Sequence, residues 1–579
     1  MVDDALFAPE QAAEDGRLIA FLDSLWEERV ALSPEYQTRL GRRTNYSQWD
    51  DRSPEASRRR QALYKAQLES LQSAFNRDDL SAGGKLNFDL FIDDTNRRLI
   101  LETYRDRSFQ TSQLRGIHTG IPVFLANYHR IGTRADADAF LARIAGVPQV
   151  LAQAADQLEQ QAASGFTLPE FSYPLIAQSA RNAATSDSLR NDFAKKLNGL
   201  SLSDEEKDAL LSKLDTLLSG PYAAAYTEFA RRVTALAERA TGSGNQGIGR
   251  FDRDGAYYAS LLKNYTTTDL SADEIHALGL AEVERIHKEM RAIMQTVGFD
   301  GTLRDFFTYM RTAQQFYLPN TDEGRAEYLA LARSYIDAFT PRLDELFTLR
   351  PAARVEVRRV EPFRERSAGK AFYSQPDAEG TRPGYFYANL ARMEDMPTYQ
   401  LEALVYHEAI PGHHMQRALQ IEQRGLPKFR RFGGATAYTE GWGLYSELLP
   451  KEIGFYSDPY SDFGRLAMEL WRAARLVVDT GLHAKGWDMD EAITYLKTNT
   501  PNPDGDSVKA IERYIVRPGQ ATAYKIGMMK IIELRTRAEI ELGESFDIRT
   551  FHDTILRAGP LPLDILEQQI DQWIAEQKT

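Results

Sequence analysis

Residues 406–416 read YHEAIPGHHMQ, and the Pro411–Gly412 pair inside this stretch constrains the fold more than any other feature of the chain. Proline lacks an amide hydrogen and clashes with the preceding turn, and glycine tolerates backbone angles that other residues avoid. The pair can therefore open a helix and insert extra residues. What flanks the opening gives it meaning. In the common HExxH pattern the two histidines are about 40° apart around one helix, so both rings reach one ion. Here the second histidine comes six or seven positions after His407. An opened helix brings His413 into the place of the usual second ligand. In an undistorted helix His414 has the better angle, about 20° from His407, but roughly 10 Å along the axis separates their alpha carbons. His414 is therefore expected beside the site, or as a substrate contact.

A third ligand is expected from the segment after a basic, glycine-containing turn (RGLPKFRRFGG). Glu440 lies 27 positions after His413, on a stretch reading YTEGWGLYSE. Glu440, Leu444 and Glu447 share a helical face, which makes Glu447 a rival. Glu440 is favoured because it adjoins Gly441 and Gly443, where helices pack closest. Two neutral imidazoles and one carboxylate are the usual three-ligand set of a catalytic zinc, with a position left open for water. Glu408, directly after His407, is placed to take a proton from that water.

In these motifs the chain resembles the bacterial domain of unknown function 885 family, whose signature looks like HExxPGHxxQ followed by EGWxLYxE. The resemblance extends to DTGLHAKGW from Asp479, RYIVRPGQATAYKIG from Arg513 and GIGRFDRDGAYYASLL from Gly247. Such proteins look like distant relatives of the mostly helical zinc peptidases, including thimet oligopeptidase and angiotensin-converting enzyme. In that comparison His407, His413 and Glu440 match the ligands, and Glu408 the general base. The resemblance implies a mainly α, two-lobed helical zinc peptidase with a deep channel and a small β-sheet near the site.

Composition narrows the partners. The 579 residues carry a formal charge of −13, and the pI near 5.4 argues against nucleic acid or a basic membrane-binding surface. Without cysteine there are no disulfides and no thiolate metal sites, so ligands are oxygen and nitrogen. No apolar stretch approaches the roughly 20 residues of a transmembrane helix. The first residues lack the basic start and apolar core of a secretory signal, whereas the family resemblance implies a periplasmic or secreted origin.

A chain of this length exceeds the size at which single cores stop growing. The sequence TGSGNQGIGR (241–250) is the expected hinge, dividing a helical lobe 1–245 from a catalytic lobe 246–579. Stripes at Tyr64, Leu68, Leu71, Phe75 and at Leu210, Leu211, Leu214, Leu217, Leu218 predict core-facing helices. The second opens at a Ser203–Glu206 capping box and stops at Gly220-Pro221. Ser271 with Glu274 opens a further helix bearing His276 and His287, expected at the surface. VEVRRV from Val355 and TRPGYFYANL from Thr381 read as strands, the latter as an edge strand that pairs with an extended peptide through Tyr387 and its neighbours. The arginine runs at 57–60 and 354–367 read as solvated faces.

The developing oxyanion of a hydrolysis needs a donor opposite the metal, and residues 513–527 are dense in donors. Resemblance to the helical zinc peptidases, which use a tyrosine from a late segment, favours Tyr524. Tyr514 and Arg517 are expected to hold substrate. His483 is either a transition-state contact or a histidine bonded within the helix packing, to Asp479 for example. The expected function is hydrolysis of short peptides by zinc-activated water. The alternatives are a zinc amidase acting on a modified peptide, and an inactive helical binding protein.

Overall fold

The capped starts stand where the sequence places them. The computed structural model describes residues 9–240, 247–361, 365, 369–377 and 382–578. In it Ser203 and Glu206 cap each other's backbone at the start of Asp204–Leu217. Ser271 and Glu274 do the same for α1 (Ala272–Thr296). The helix from Asp204 does not end outright at Gly220-Pro221. Gly220 takes φ −100°, ψ −105° within one wider turn, and a new helix, Ala223–Leu236, continues beyond it. The proline therefore kinks the path, because its missing N–H falls where that wider turn already breaks the bonding ladder. The chain is mainly helical, with one small three-stranded sheet. Two compact units are present, 1–243 and 244–579. Positions 241–246 of the expected hinge, most of 362–368 and Thr381 lie outside the described residues. Among those described, no helix is long and apolar enough to cross a membrane.

The first unit contains two buried histidines. His129 shares its ring nitrogens between Arg143 at 2.9 Å and the carbonyl of Asp136 at 3.0 Å. His118 is fully buried, stacks on Phe229, and has no hydrogen-bond partner at either nitrogen. Burial holds its pKa down near 4, from 6.5. In the unfolded chain the ring protonates near pH 6.5, so its contribution to stability is complete above that pH and lost as the pH falls towards 4. His118→Leu should therefore leave stability at pH 7 within about 1 kcal/mol. It should also flatten the acid slope between pH 6.5 and 4 by up to about 1.4 kcal/mol per pH unit. Thermal midpoints of both proteins at pH 7, 6 and 5 check this, and parallel pH slopes would refute it.

In the second unit the sheet is β1 (Val355–Arg359), β2 (Ala371–Ser374) and β3 (Gly384–Ala388). The aromatic strand β3 is not an edge. It lies in the middle, parallel to β1 and antiparallel to β2. Pro383 precedes the first paired residue, so its missing N–H costs the ladder nothing and leaves β3 free to be central. One face of β3 sends Phe386 and Ala388 into a core with Tyr328, Ile336, Leu401, Val405 and Ala409. On the other face Tyr387 stacks on Phe372 at 5.0 Å. The edges are β1 and β2.

That core seats α2 (Leu401–Glu408) against the sheet. The elements that follow are α3 (His413–Glu422), α4 (Thr436–Ser446), α5 (Pro459–Ala484) and α6 (Ala523–Leu542). α1 packs along α5 so closely that a side chain at Gly279 would meet Leu476 Cβ at 2.7 Å. The expected surface histidines are instead taken up in packing, His276 at this contact and His287 against Phe307 and Asn499. His287 is buried and reaches the carbonyl of Asn499 at 2.8 Å, while His276 is half-buried and meets Thr480 Oγ1 at 2.8 Å.

Candidate metal centre

The Pro-Gly pair cuts the helix into two rather than bulging it. α2 stops at Glu408, Ala409 turns to φ −104°, ψ −111°, and α3 begins at His413. The intervening Ile410–Pro411 peptide is cis. A side chain at Gly412 would lie 2.0 Å from the carbonyl oxygen of His407, so only glycine lets the strands of the break pass each other. Buried Trp442 clamps the break by donating its indole N–H to Pro411 O at 2.9 Å. Glu402 fixes the base of α2, accepting from Ser461 Oγ of α5 at 2.6 Å and from Tyr406 Oη at 3.1 Å.

With the helix cut, the rings of His407 and His413 lie 4.6 Å apart and nearly perpendicular. α4 completes the group. It packs against α6 through facing glycines, where a side chain at Gly441 would meet Gly527 Cα at 2.5 Å. This close approach sets Glu440 Oε2 at 3.5 Å from His413 Nε2 and 4.0 Å from His407 Nε2. One ligand atom of each of the three residues lies within 4.8 Å of the others. Zinc bonds of about 2.0–2.1 Å in a tetrahedron imply ligand separations of about 3.3 Å, so the donor set fits such an ion with small adjustment.

Glu447, the rival ligand, has a different place. Its Oε1 accepts from His407 Nδ1 at 2.8 Å, which turns the Nε2 lone pair towards Glu440, as an outer carboxylate does for a metal-bound histidine. Burial pushes Glu447 up to about 8 and His407 far down, so that ring is neutral. Burial opposes charge on His413, yet the neighbouring Glu440 outweighs it and raises its pKa, while Glu440 is lowered in return. The pair thus shares a proton where a cation would displace it.

Gly443 forms the floor. A Cβ there would lie 2.8 Å from His407 Cε1 and 2.9 Å from His413 Cε1. Gly443→Ala should weaken metal binding at the upper end of the roughly 10–100-fold range for groups that orient ligands. Competition with a chromophoric chelator measures it, and an affinity equal to wild type would mean that the rings move aside freely.

Glu408 is nearly buried beside this group. Burial raises its pKa to about 7, with His413 and the Tyr373 amide opposing. Asn389 N–H bonds Lys370 O at 2.8 Å. The alternation of antiparallel pairing then turns the amides of Ala371 and Tyr373 away from β3, towards the outer edge of β2, and the Tyr373 amide meets the Glu408 carboxylate. Tyr373 is anchored in turn, donating its hydroxyl to His414 Nδ1 at 3.0 Å, while His414 Nε2 donates to Ala353 O at 2.9 Å. His414 therefore has both nitrogens occupied by the protein itself.

The other expected residues divide into two groups. His483 is buried, its Nδ1 accepting from Ile248 N–H at 3.0 Å and its Nε2 donating to Tyr514 O at 3.1 Å. Asp479 does not bond it. That carboxylate accepts instead from Tyr258 Oη at 2.6 Å and from Gly519 N–H at 2.9 Å. The segments at Gly247, Asp479 and Arg513 are thus stitched together by buried polar bonds. Tyr524 is half-buried, with the Arg475 guanidinium 4.6 Å and that of Arg472 5.9 Å from its ring. Tyr514 is buried against Arg475 at 5.8 Å. Arg517 is half-buried with Nε unbonded, and Tyr387 lies on the β3 face described above. Sequence reasoning missed Tyr373, Arg472 and Arg475, and it read Gly443 as a helix-packing position and not as the floor under two rings. None of the three leaves a local trace in the sequence.

Fold and site together define a mainly helical protein with a His-His-Glu candidate metal centre between broken and intact helices. The chain belongs to the family described as "Bacterial protein of unknown function (DUF885)", whose model matches residues 34–570. It is similar to the crystal structure of "the putative lipoprotein from Colwellia psychrerythraea", with TM-score 0.91 and 28% identity over 97% of this chain and 99% of that one. It shares its fold with "a putative lipoprotein of unknown function from Shewanella oneidensis", with TM-score 0.73 and 18% identity over 95% and 98% of the two chains. No curated protein matches it.

Proposed function

We propose that this chain is a zinc-dependent peptidase of the kind that the helical zinc peptidases exemplify, cleaving short peptides. The observation that carries the reading is the convergence of His407, His413 and Glu440 within 4.8 Å, with the carboxylate of Glu408 next in sequence and not among the ligand atoms. Bound there, zinc would supply Lewis acidity, polarising a carbonyl and acidifying water. Glu408 accepts the proton of the attacking water and delivers it to the leaving amine. Its orientation comes from the Tyr373 amide. Glu447 keeps His407 in the tautomer that presents Nε2.

Substrate size follows from burial. His407, Glu408 and His413 are 3%, 8% and 9% exposed, so an extended segment can reach them and the surface of a folded protein cannot. The outward carbonyl groups of β2 offer main-chain pairing to such a segment. The family relatives described as lipoproteins support a place outside the cytoplasm. The test is metal content per chain, followed by mass spectrometry of a length series of unstructured peptides beside a stable folded protein. Stoichiometric zinc and cleavage of the short peptides alone are expected. A chain that binds no divalent metal, or cuts no peptide when loaded, would end this reading.

A further inference from the structure

Most charges on α5 are paired. Arg465 meets Asp462 at 2.8 Å and Glu469 at 3.4 Å, and Glu469 meets Lys525 at 2.6 Å. Arg472 and Arg475, further along the same helix, form no ion pair among the described residues: Arg472 Nη1 donates to Met468 O of its own helix at 3.2 Å, and Arg475 bonds the Tyr514 hydroxyl. Nε of Arg472 and both Nε and Nη1 of Arg475 are buried without any hydrogen-bond partner. Arg475 is only 8% exposed, and the rings of Tyr524 and Tyr514 flank its guanidinium at 4.6 Å and 5.8 Å. Both arginines bear electrostatically on Glu440, which places them beside the candidate metal centre.

Unbonded donors on a buried cation are costly to maintain, and a buried guanidinium ordinarily has an anion. Among the described residues no carboxylate hydrogen-bonds either arginine, and Glu440 and Glu447 act on them through space. Glu440 points to the histidines, Glu447 to His407, and Glu408 to the Tyr373 amide. The aromatic flanks hold the guanidinium plane without neutralising it. Positive charge, free donors and a fixed plane are what a carboxylate requires.

We propose that Arg475, with Arg472 beside it, forms a subsite for a substrate carboxylate next to the metal centre, so that the protein selects peptides by a negative charge near the bond to be cut. This rests on the peptidase reading for its substrate, but its binding test does not need catalysis. Three N-acetylated probes carry the test: Ala-Ala with a free C-terminus, its C-terminal amide, and Ala-Glu amide. Each is titrated calorimetrically into the metal-free full-length chain. The free acid, the Glu amide or both should bind at least about tenfold more tightly than the neutral amide. Preference for the first alone assigns the subsite to a C-terminus, and preference for the third assigns it to an acidic side chain. In Arg475→Gln the preference should fall to near unity, and Arg475→Lys should restore part of it. Equal binding of acid and neutral amide by the wild-type chain would overturn the subsite and leave the arginines as counter-charges for Glu440 and Glu447. A preserved carboxylate preference in a zinc-loaded chain that cuts no peptide would support the subsite and overturn the peptidase instead.

Discussion

Glu408→Gln is expected to bind zinc as the wild-type chain does and to lose about three orders of magnitude in turnover of a short peptide. The loss is the share that a positioned proton acceptor contributes to a hydrolysis. Retained metal follows from the site, because the convergent ligand atoms come from His407, His413 and Glu440. Retained shape follows too. The backbone donor on Glu408, the Tyr373 amide, is satisfied equally by the carbonyl oxygen of glutamine. Only the capacity to accept a proton disappears. Metal content by inductively coupled plasma spectrometry and single-turnover cleavage make the comparison, and turnover within tenfold of wild type would sink the mechanism.

The second large effect separates adjacent histidines. His413→Ala should lower zinc affinity by more than about 100-fold, beyond the range of changes that only reorient ligands. His414→Ala should lower it by less than about tenfold. The reason is the break at Ala409–Gly412, which starts α3 at His413 and aims Nε2 at Glu440, whereas His414 spends its two nitrogens on Tyr373 and Ala353. Chelator competition on the two variants decides it. A site emptied by His414→Ala and not by His413→Ala would mean that the helix runs through the break.

How far the sequence could be read depended on range. Capping boxes at Ser203 and Ser271 act within one turn, so their residue types alone place a helix start. The Pro411–Gly412 interruption is equally local, and a helix that gives way there follows from the missing N–H and the missing Cβ. Its form did not follow: a bulge and a full break satisfy the same two residues, and the clamp that selects the break, Trp442 on Pro411 O, comes from another helix. The position of β3 is similar. Alternation marks GYFYA as a strand, but whether it is central depends on β1 and β2, both distant in sequence.

The site shows the same division. The donor types, their order along the chain and the glycines beside Glu440 were determined by the sequence itself, because ligand chemistry belongs to the side chain and close packing to the absence of one. Only the tertiary structure decided that Glu447 serves His407, that His483 is bonded on both sides by backbone, and that Gly443 supports two rings at once. It alone brought Arg472 and Arg475 to Glu440 with guanidinium nitrogens left unbonded. Each of these depends on which helix faces which, a matter of packing between segments far apart in the chain, and no periodicity within one segment records its neighbour.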